Sequence, residues 1–226
     1  MKKIISFSLY GSSPKYCVGA IENVKLQKTL YPDWICRIYY NDTVPTNYIQ
    51  QISNLGAEVI DMSNTSMRDH GMFWRFLVCD DREIERFICR DVDSRLNSRE
   101  RAAVEEWIES GKSFHIMRDH PWHDILVLGC AWGLKNTFNF SVEEMINDFI
   151  KNKPFKYGDD QIFLYKLHRL FIKDMICHDE FFDYPNNKPF PVKREEYEFV
   201  GEVFDENNMR NQEHRNVLIN FLNSKK

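Results

Sequence analysis

The order of segments in the first 93 residues constrains this chain more than any other feature. Strand-like and helix-like runs alternate, and the last of them ends on Asp91-Val92-Asp93. Residues 3–10 predict a first strand that stops at Gly11-Ser12-Ser13. Pro14 suits the first turn of a helix, where its missing N–H is no loss, and that helix is expected to reach Leu30 with Ser13 as its cap. Residues 34–40 are β-branched and aromatic, a second strand closed by Asn41-Asp42. A short helix over 47–54 and a third strand over 57–62 follow, separated by Gly56. Strand, helix, strand, helix, strand in that order implies a parallel sheet built from right-handed crossovers.

Residues 71–80 read as a buried helix, and residues 85–90 as a strand that runs directly into Asp91. Asn97-Ser98 can cap a helix over 99–110, whose Ala103, Val104, Trp107 and Ile108 keep helical spacing. Residues 113–117 form another expected strand. Ser141-Val142-Glu143-Glu144 has the form of a capping box and opens a helix to 151. Further helices are expected over 159–170 and over 211–223, the last packed by Val217, Leu218, Phe221 and Leu222. An aromatic loop is expected over 181–185. No linker, repeat or low-complexity stretch divides the sequence, so one domain over 1–226 is expected.

Composition narrows the class. The chain is 43% hydrophobic and 28% charged, as globular proteins are. A net charge of −4 with scattered basic residues argues against nucleic acid or anionic lipid as partner. The six cysteines form no CxxC pair, and several lie in apolar runs, which disfavours a zinc site or a disulfide framework. The apolar part of the first ten residues is too short for a signal peptide, and no run approaches the ~20 residues of a membrane span. The expected location is cytoplasmic.

Asp91 and Asp93 follow an apolar strand with one residue between them. In extended geometry both carboxylates would face the same way and share one cation. Open α/β sheets bind ligands at the carboxyl ends of their strands. A hard divalent ion takes oxygen ligands there and keeps sites for substrate phosphates. Arg90 and Arg95 flank the pair and could contact phosphate oxygens. The other reading is a solvated acidic turn.

The run from Trp74-Arg75-Phe76-Leu77 to Glu85-Arg86-Phe87-Ile88-Cys89-Arg90-Asp91-Val92-Asp93 resembles the GT-A glycosyltransferases, particularly the family-8-like retaining enzymes. The resemblance implies a single Rossmann-like GT-A domain with a mostly parallel central sheet flanked by helices. It also implies that Arg75 lies near the donor, and that Asp91 and Asp93 hold Mn²⁺ or Mg²⁺ against a nucleotide diphosphate. Residues 1–96 would then bind nucleotide sugar and metal, and residues 97–226 the acceptor. Ser8 and Tyr10, ending the first strand, are candidates for holding base and ribose. Leu128-Gly129-Cys130-Ala131-Trp132-Gly133 resembles the segment beside the transferred sugar, where the Trp132 indole could cover a sugar ring; a tight turn with a buried Trp is the alternative. Asp159-Asp160-Gln161 resembles the Asp-Gln motif that meets the sugar near its anomeric carbon, although an Asp at a helix start also favours the dipole. By the same resemblance His178 would be a third metal ligand and Lys188 a diphosphate contact, at longer spacing than usual and with Phe190 where the family has Trp. His120-Pro121-Trp122-His123 reads as a loop near the acceptor.

The implied activity is transfer of a hexosyl group from a nucleoside diphosphate sugar, with UDP-sugar favoured, to a hydroxyl of a glycan, protein or small molecule, with retention of configuration. Inversion would make Asp159 or Asp160 the general base. A nucleotidyltransferase or sugar-phosphate pyrophosphorylase also pairs carboxylates with metal, but Gly11-Ser12-Ser13-Pro14-Lys15 is a poor phosphate loop. A non-catalytic sugar-binding protein is a third reading. A glycoside hydrolase is disfavoured, because its two carboxylates stand on opposite faces of the scissile bond.

Overall fold

The computed structural model describes residues 1–151, 154, 156–184 and 187–225. The first half runs β1 (Lys2–Leu9), α1 (Pro14–Leu30), β2 (Ile35–Tyr40), α2 (Thr46–Asn54), β3 (Glu58–Asp61), α3 (Gly71–Trp74) and β4 (Ile84–Cys89). The second half adds α4 (Ser98–Ser110), β5 (Phe114–Arg118), β6 (Trp132–Lys135), α5 (Val142–Ile150) and α6 (Asp159–Phe171). It ends in β7 (Met175–Asp179), β8 (Asn187–Lys188) and α7 (Gln212–Ser224). These strands make one sheet in the order β3-β2-β1-β4-β6-β5-β7-β8. Only β6 runs antiparallel to its neighbours, β4 and β5. The architecture is thus the expected single α/β domain with a mostly parallel sheet.

Both faces of the sheet are covered, which explains why β1 reads as a continuous apolar run rather than an alternating one. Ile5, Phe7 and Leu9 face a cluster that includes Cys17, Ala20 and Val24 of α1, Ile52 of α2 and Trp107 of α4. Ile4 faces the opposite cluster, with Phe76, Phe87, Trp132 and residues of α5 and α6. Burying one such side chain contributes about 1.5–3 kcal/mol. Ser6 and Ser8 fall on the face of Ile4 by the two-residue period of a strand. They are buried there, where their hydroxyls find backbone partners described below.

The chain leaves β1 toward β2 and β3 on one side, then returns to place β4 on the other. Adjacent parallel strands whose connections depart in opposite directions leave a crevice at their carboxyl ends. Here that crevice lies beyond Leu9 and Cys89.

Three local expectations need correction. Ser13 precedes α1, but its side chain makes no capping hydrogen bond; its carbonyl accepts from Tyr16 and Cys17. The helix expected over 71–80 is broken into α3 and a 3-10 turn, Leu77–Asp80. The Arg75 amide is drawn off to the Ser8 hydroxyl, and i→i+3 bonds such as Phe76 N to Phe73 O tighten the segment. The small-residue segment around 128–133 runs into β6. A Cβ on Gly133 would stand 2.8 Å from the Phe87 carbonyl, so this glycine serves strand packing rather than ligand approach. Asn97 and Ser141 do cap as expected, accepting from Glu100 N and Glu144 N. Pro185 of the expected aromatic loop lies outside the described residues.

Candidate active site

A cleft of about 340 Å³ opens at this crevice. Ser8 and Tyr10 line it from the end of β1, and Asp91, Val92 and Asp93 from the end of β4. Arg75 enters from the break after α3. Gly129 and Cys130 form a wall, and Asp160 and Gln161 close it from the first turn of α6. The sequence-derived residues Ser8, Tyr10, Arg75, Asp91, Asp93, Asp160 and Gln161 are therefore brought together.

The acidic pair is not in extended conformation. Asp91-Val92-Asp93-Ser94 forms a turn, with Ser94 N and Oγ donating to the Asp91 carbonyl at 3.3 and 2.8 Å. Helix α1 holds this turn from behind. Asn23 Nδ2 donates to the carbonyls of Val92 at 3.3 Å and Ser94 at 2.8 Å, while its Oδ1 accepts from Leu96 N at 3.0 Å. Gly19 makes the approach possible, since a Cβ there would lie 2.0 Å from the Val92 carbonyl oxygen. Both aspartates still face the cleft, because the turn is fixed by backbone contacts and leaves the carboxylates unused by it.

Arg75 is the electrostatic hinge of the site. Its backbone is clamped by β1: Ser6 Oγ donates to Arg75 O at 2.7 Å, and Ser8 Oγ accepts from Arg75 N at 2.9 Å. Its guanidinium bridges Asp91 at 2.6 Å and Asp160 at 2.8 Å. Burial works against the charge, but the two carboxylates outweigh it and hold the group above its ordinary range. Gly129 lets the bridge close, since a Cβ there would lie 2.5 Å from both Arg75 Nη2 and Asp160 Oδ2. Burial raises the Asp160 carboxyl, with Arg75 opposing it. Burial, then the charge of Asp91, raise that of Asp93. Lys15, in the first turn of α1, pairs with Asp93 at 2.8 Å.

The donor set suits Mn²⁺ or Mg²⁺. Two carboxylates in one cleft each hold a cationic side chain, so each is a place where positive charge is accommodated. Its oxygen-only character matches hard divalent ions, which use one or two carboxylates and complete their shell with phosphate and water. Among the described residues there is no group of three or more His, Cys, Asp or Glu side chains placed to enclose an ion. Asp91 and Asp93 would thus depend on a substrate for the remaining ligands.

Six sequence candidates lie elsewhere. His178, on β7, is buried with Nδ1 hydrogen-bonded to His115 Nε2 at 2.8 Å and Nε2 to Glu106 at 2.9 Å, so both ring nitrogens are committed. Lys188 pairs with the same Glu106. The structure therefore does not bring them to the acidic pair. Arg90 is buried against Glu100 at 2.8 Å and donates to the carbonyls of Cys89 and Trp132. Trp132 is a core residue between Phe76, Phe87 and Phe114, as in its alternative reading. Asp159 accepts from Lys156 N at 2.9 Å and shapes the turn before α6, outside the cleft lining. Arg95 braces the acidic turn through the carbonyls of Ser94 and Val92.

The sequence reading missed Lys15, Gly19 and Asn23. A signal existed for Asn23: a polar residue four positions after a glycine on the apolar face of α1 must find partners inside. Lys15 had a weaker one, its place just after the first strand.

No protein-family model matches this sequence, and no curated protein matches it. Solved structures do resemble the fold. The apo form of the glycosyltransferase GlyE of Streptococcus pneumoniae TIGR4 aligns with TM-score 0.50 and 12% identity, over 75% of this chain and 44% of that one. A galactosyltransferase LgtC in complex with donor and acceptor sugar analogs aligns at 0.48 and 11%, over 79% and 73%. A 4-diphosphocytidyl-2C-methyl-D-erythritol synthase from Anaerococcus prevotii DSM 20548 aligns at 0.49 and 12%, over 82% and 89%. The chain spans less than half the length of GlyE. At these identities the likeness is one of fold, and it matches the Rossmann-like GT-A architecture expected from the sequence.

Proposed function

We propose that this chain is a metal-dependent glycosyltransferase that moves a hexosyl group from a nucleoside diphosphate sugar, a UDP-sugar in the first instance, to an acceptor hydroxyl. The observation that carries the reading is the convergence of Asp91, Asp93, Arg75, Asp160 and Gln161 on one cleft at the sheet's switch point. A Mn²⁺ or Mg²⁺ ion on Asp91 and Asp93 would supply Lewis-acid neutralisation of the leaving diphosphate. Arg75 adds fixed positive charge beside it, preorganised by the β1 serines rather than recruited during reaction. Tyr10 and Ser8, which line the cleft from the end of β1, would contact base and ribose.

Asp160 and Gln161 would flank the transferred sugar. Asp160 is committed to Arg75, and Asp159 to the Lys156 amide. Neither is poised as a free general base, which supports retention. The Gln161 carbonyl can face positive charge building on the sugar ring without taking a proton. Nucleotidyl transfer is the second reading, favoured by one observation, a lysine directly after β1 that reaches the acidic pair. Product analysis separates them. With Mn²⁺ and a UDP-, GDP- or CMP-sugar, the first reading expects release of the nucleotide and sugar transfer or hydrolysis. Pyrophosphate release from a nucleoside triphosphate and a sugar phosphate would instead establish the second. Turnover of neither would leave a binding protein.

A further inference from the structure

We propose that Lys15 is a movable counter-ion of the acidic pair, which yields Asp93 to the divalent cation and moves to the diphosphate of the bound nucleotide. The inference rests on the metal-dependent reading above. Asp91, Asp93 and Asp160 bring three negative charges to the cleft, and Arg75 and Lys15 bring two positive ones. The cleft is therefore close to balanced without any ion. Adding a divalent cation alone overshoots toward positive, and Lys15 competes with it directly for Asp93. A diphosphate restores the balance and offers the displaced ammonium a new partner.

The two cationic side chains differ in their freedom to do this. Arg75 is buried, bridges two carboxylates and has its backbone fixed by Ser6 and Ser8. Lys15 has one carboxylate partner among the described residues, a side chain about 31% exposed, and lies 5.1 Å from the ring centroid of Tyr16, which itself lines the cleft. An ammonium on a four-carbon stem can swing toward the cleft mouth while the guanidinium stays. Metal and nucleotide then become thermodynamically coupled, each raising the other's affinity by the same factor.

The test is titration of Mn²⁺ by electron paramagnetic resonance, alone and with saturating UDP, CDP or GDP, on wild type and Lys15→Met. Lys15 is partly exposed on the first turn of α1, and matching circular dichroism melts establish that the variant is folded. Lys15→Gln serves if Lys15→Met melts early. In wild type, a nucleoside diphosphate is expected to tighten Mn²⁺ binding. In the variant, Mn²⁺ alone should bind about fivefold tighter, and the gain from nucleotide should shrink by at least that factor. Unchanged or weaker binding of Mn²⁺ alone, or undiminished coupling in the variant, overturns the role of Lys15 while leaving the metal site standing. No Mn²⁺ binding by wild type, with or without nucleotide, overturns the metal reading and this inference together.

Discussion

Gly129 measures how closely the cleft is fitted. A methyl group there would press on both tips of the Arg75–Asp160 bridge at 2.5 Å, and Arg75 cannot retreat because its backbone is held on both sides. Gly129→Ala should therefore break the bridge and weaken donor binding at least tenfold, with a stability loss of about 3 kcal/mol because both partners of the bridge are buried. Calorimetry of a UDP-sugar beside a denaturant melt checks both parts; unaltered affinity would show that the bridge is not part of the donor site. At this scale the sequence was informative wherever position along a strand decides the outcome. Asp91, Asp93, Ser8 and Tyr10 stand at or just past strand ends, and strand ends meet at a switch point. It was uninformative wherever a spatial neighbour decides. Nothing near His178 in sequence reveals His115 or Glu106, and an imidazole between them has no lone pair to spare for an ion.

At the scale of elements, the packing of α1 on the acidic turn is the critical contact. Asn23→Ala would leave the Leu96 amide without its side-chain acceptor in a buried place, while the carbonyls of Val92 and Ser94 keep Arg95 as donor. An unsatisfied buried polar group costs about 1–3 kcal/mol, so a loss of about 2 kcal/mol is expected on urea unfolding. Metal affinity should fall with it, since the turn that aims the carboxylates is released. A variant with wild-type Mn²⁺ affinity would mean that the turn holds itself. Most elements were legible because hydrophobic period and caps coincide, as at Asn97 and Ser141. β6 was not, because four residues with a glycine among them carry no period of their own; their strand state comes from β4 and β5 on either side. The break after α3 was equally hidden, since its cause is a hydroxyl on a strand 67 residues earlier.

Across the whole molecule, buried histidines set a pH dependence separate from the active site. Burial pushes His115 well below its ordinary value, with His178 adding to the effect, and lowers His178 likewise. The folded chain keeps both neutral while the unfolded chain protonates them near pH 6.5. The unfolded state thus binds more protons as pH falls below that value, and stability must decline by up to ~1.4 kcal/mol per pH unit for each histidine. The carboxyls of Asp93, Asp160, Glu198 and Glu202 are raised, chiefly by burial, and take up protons in the folded state before the unfolded one, which offsets part of this decline. Guanidinium midpoints should therefore drop between pH 7 and pH 5.5. A flat profile over that interval would contradict the neutral buried pair.

The proposed function turns most on Asp93, the residue that would join a divalent ion to the cleft. Asp93 is half of an acidic pair whose mutual repulsion its truncation relieves, so Asp93→Ala should stay folded within about 1 kcal/mol of wild type. The decisive measurement is calorimetric binding of a UDP-sugar to wild type and Asp93→Ala, each with and without Mn²⁺. Wild type is expected to bind the donor at least tenfold tighter with Mn²⁺, and the variant to show no difference between the two conditions. Equal Mn²⁺ enhancement in both proteins would contradict a metal site on Asp91 and Asp93.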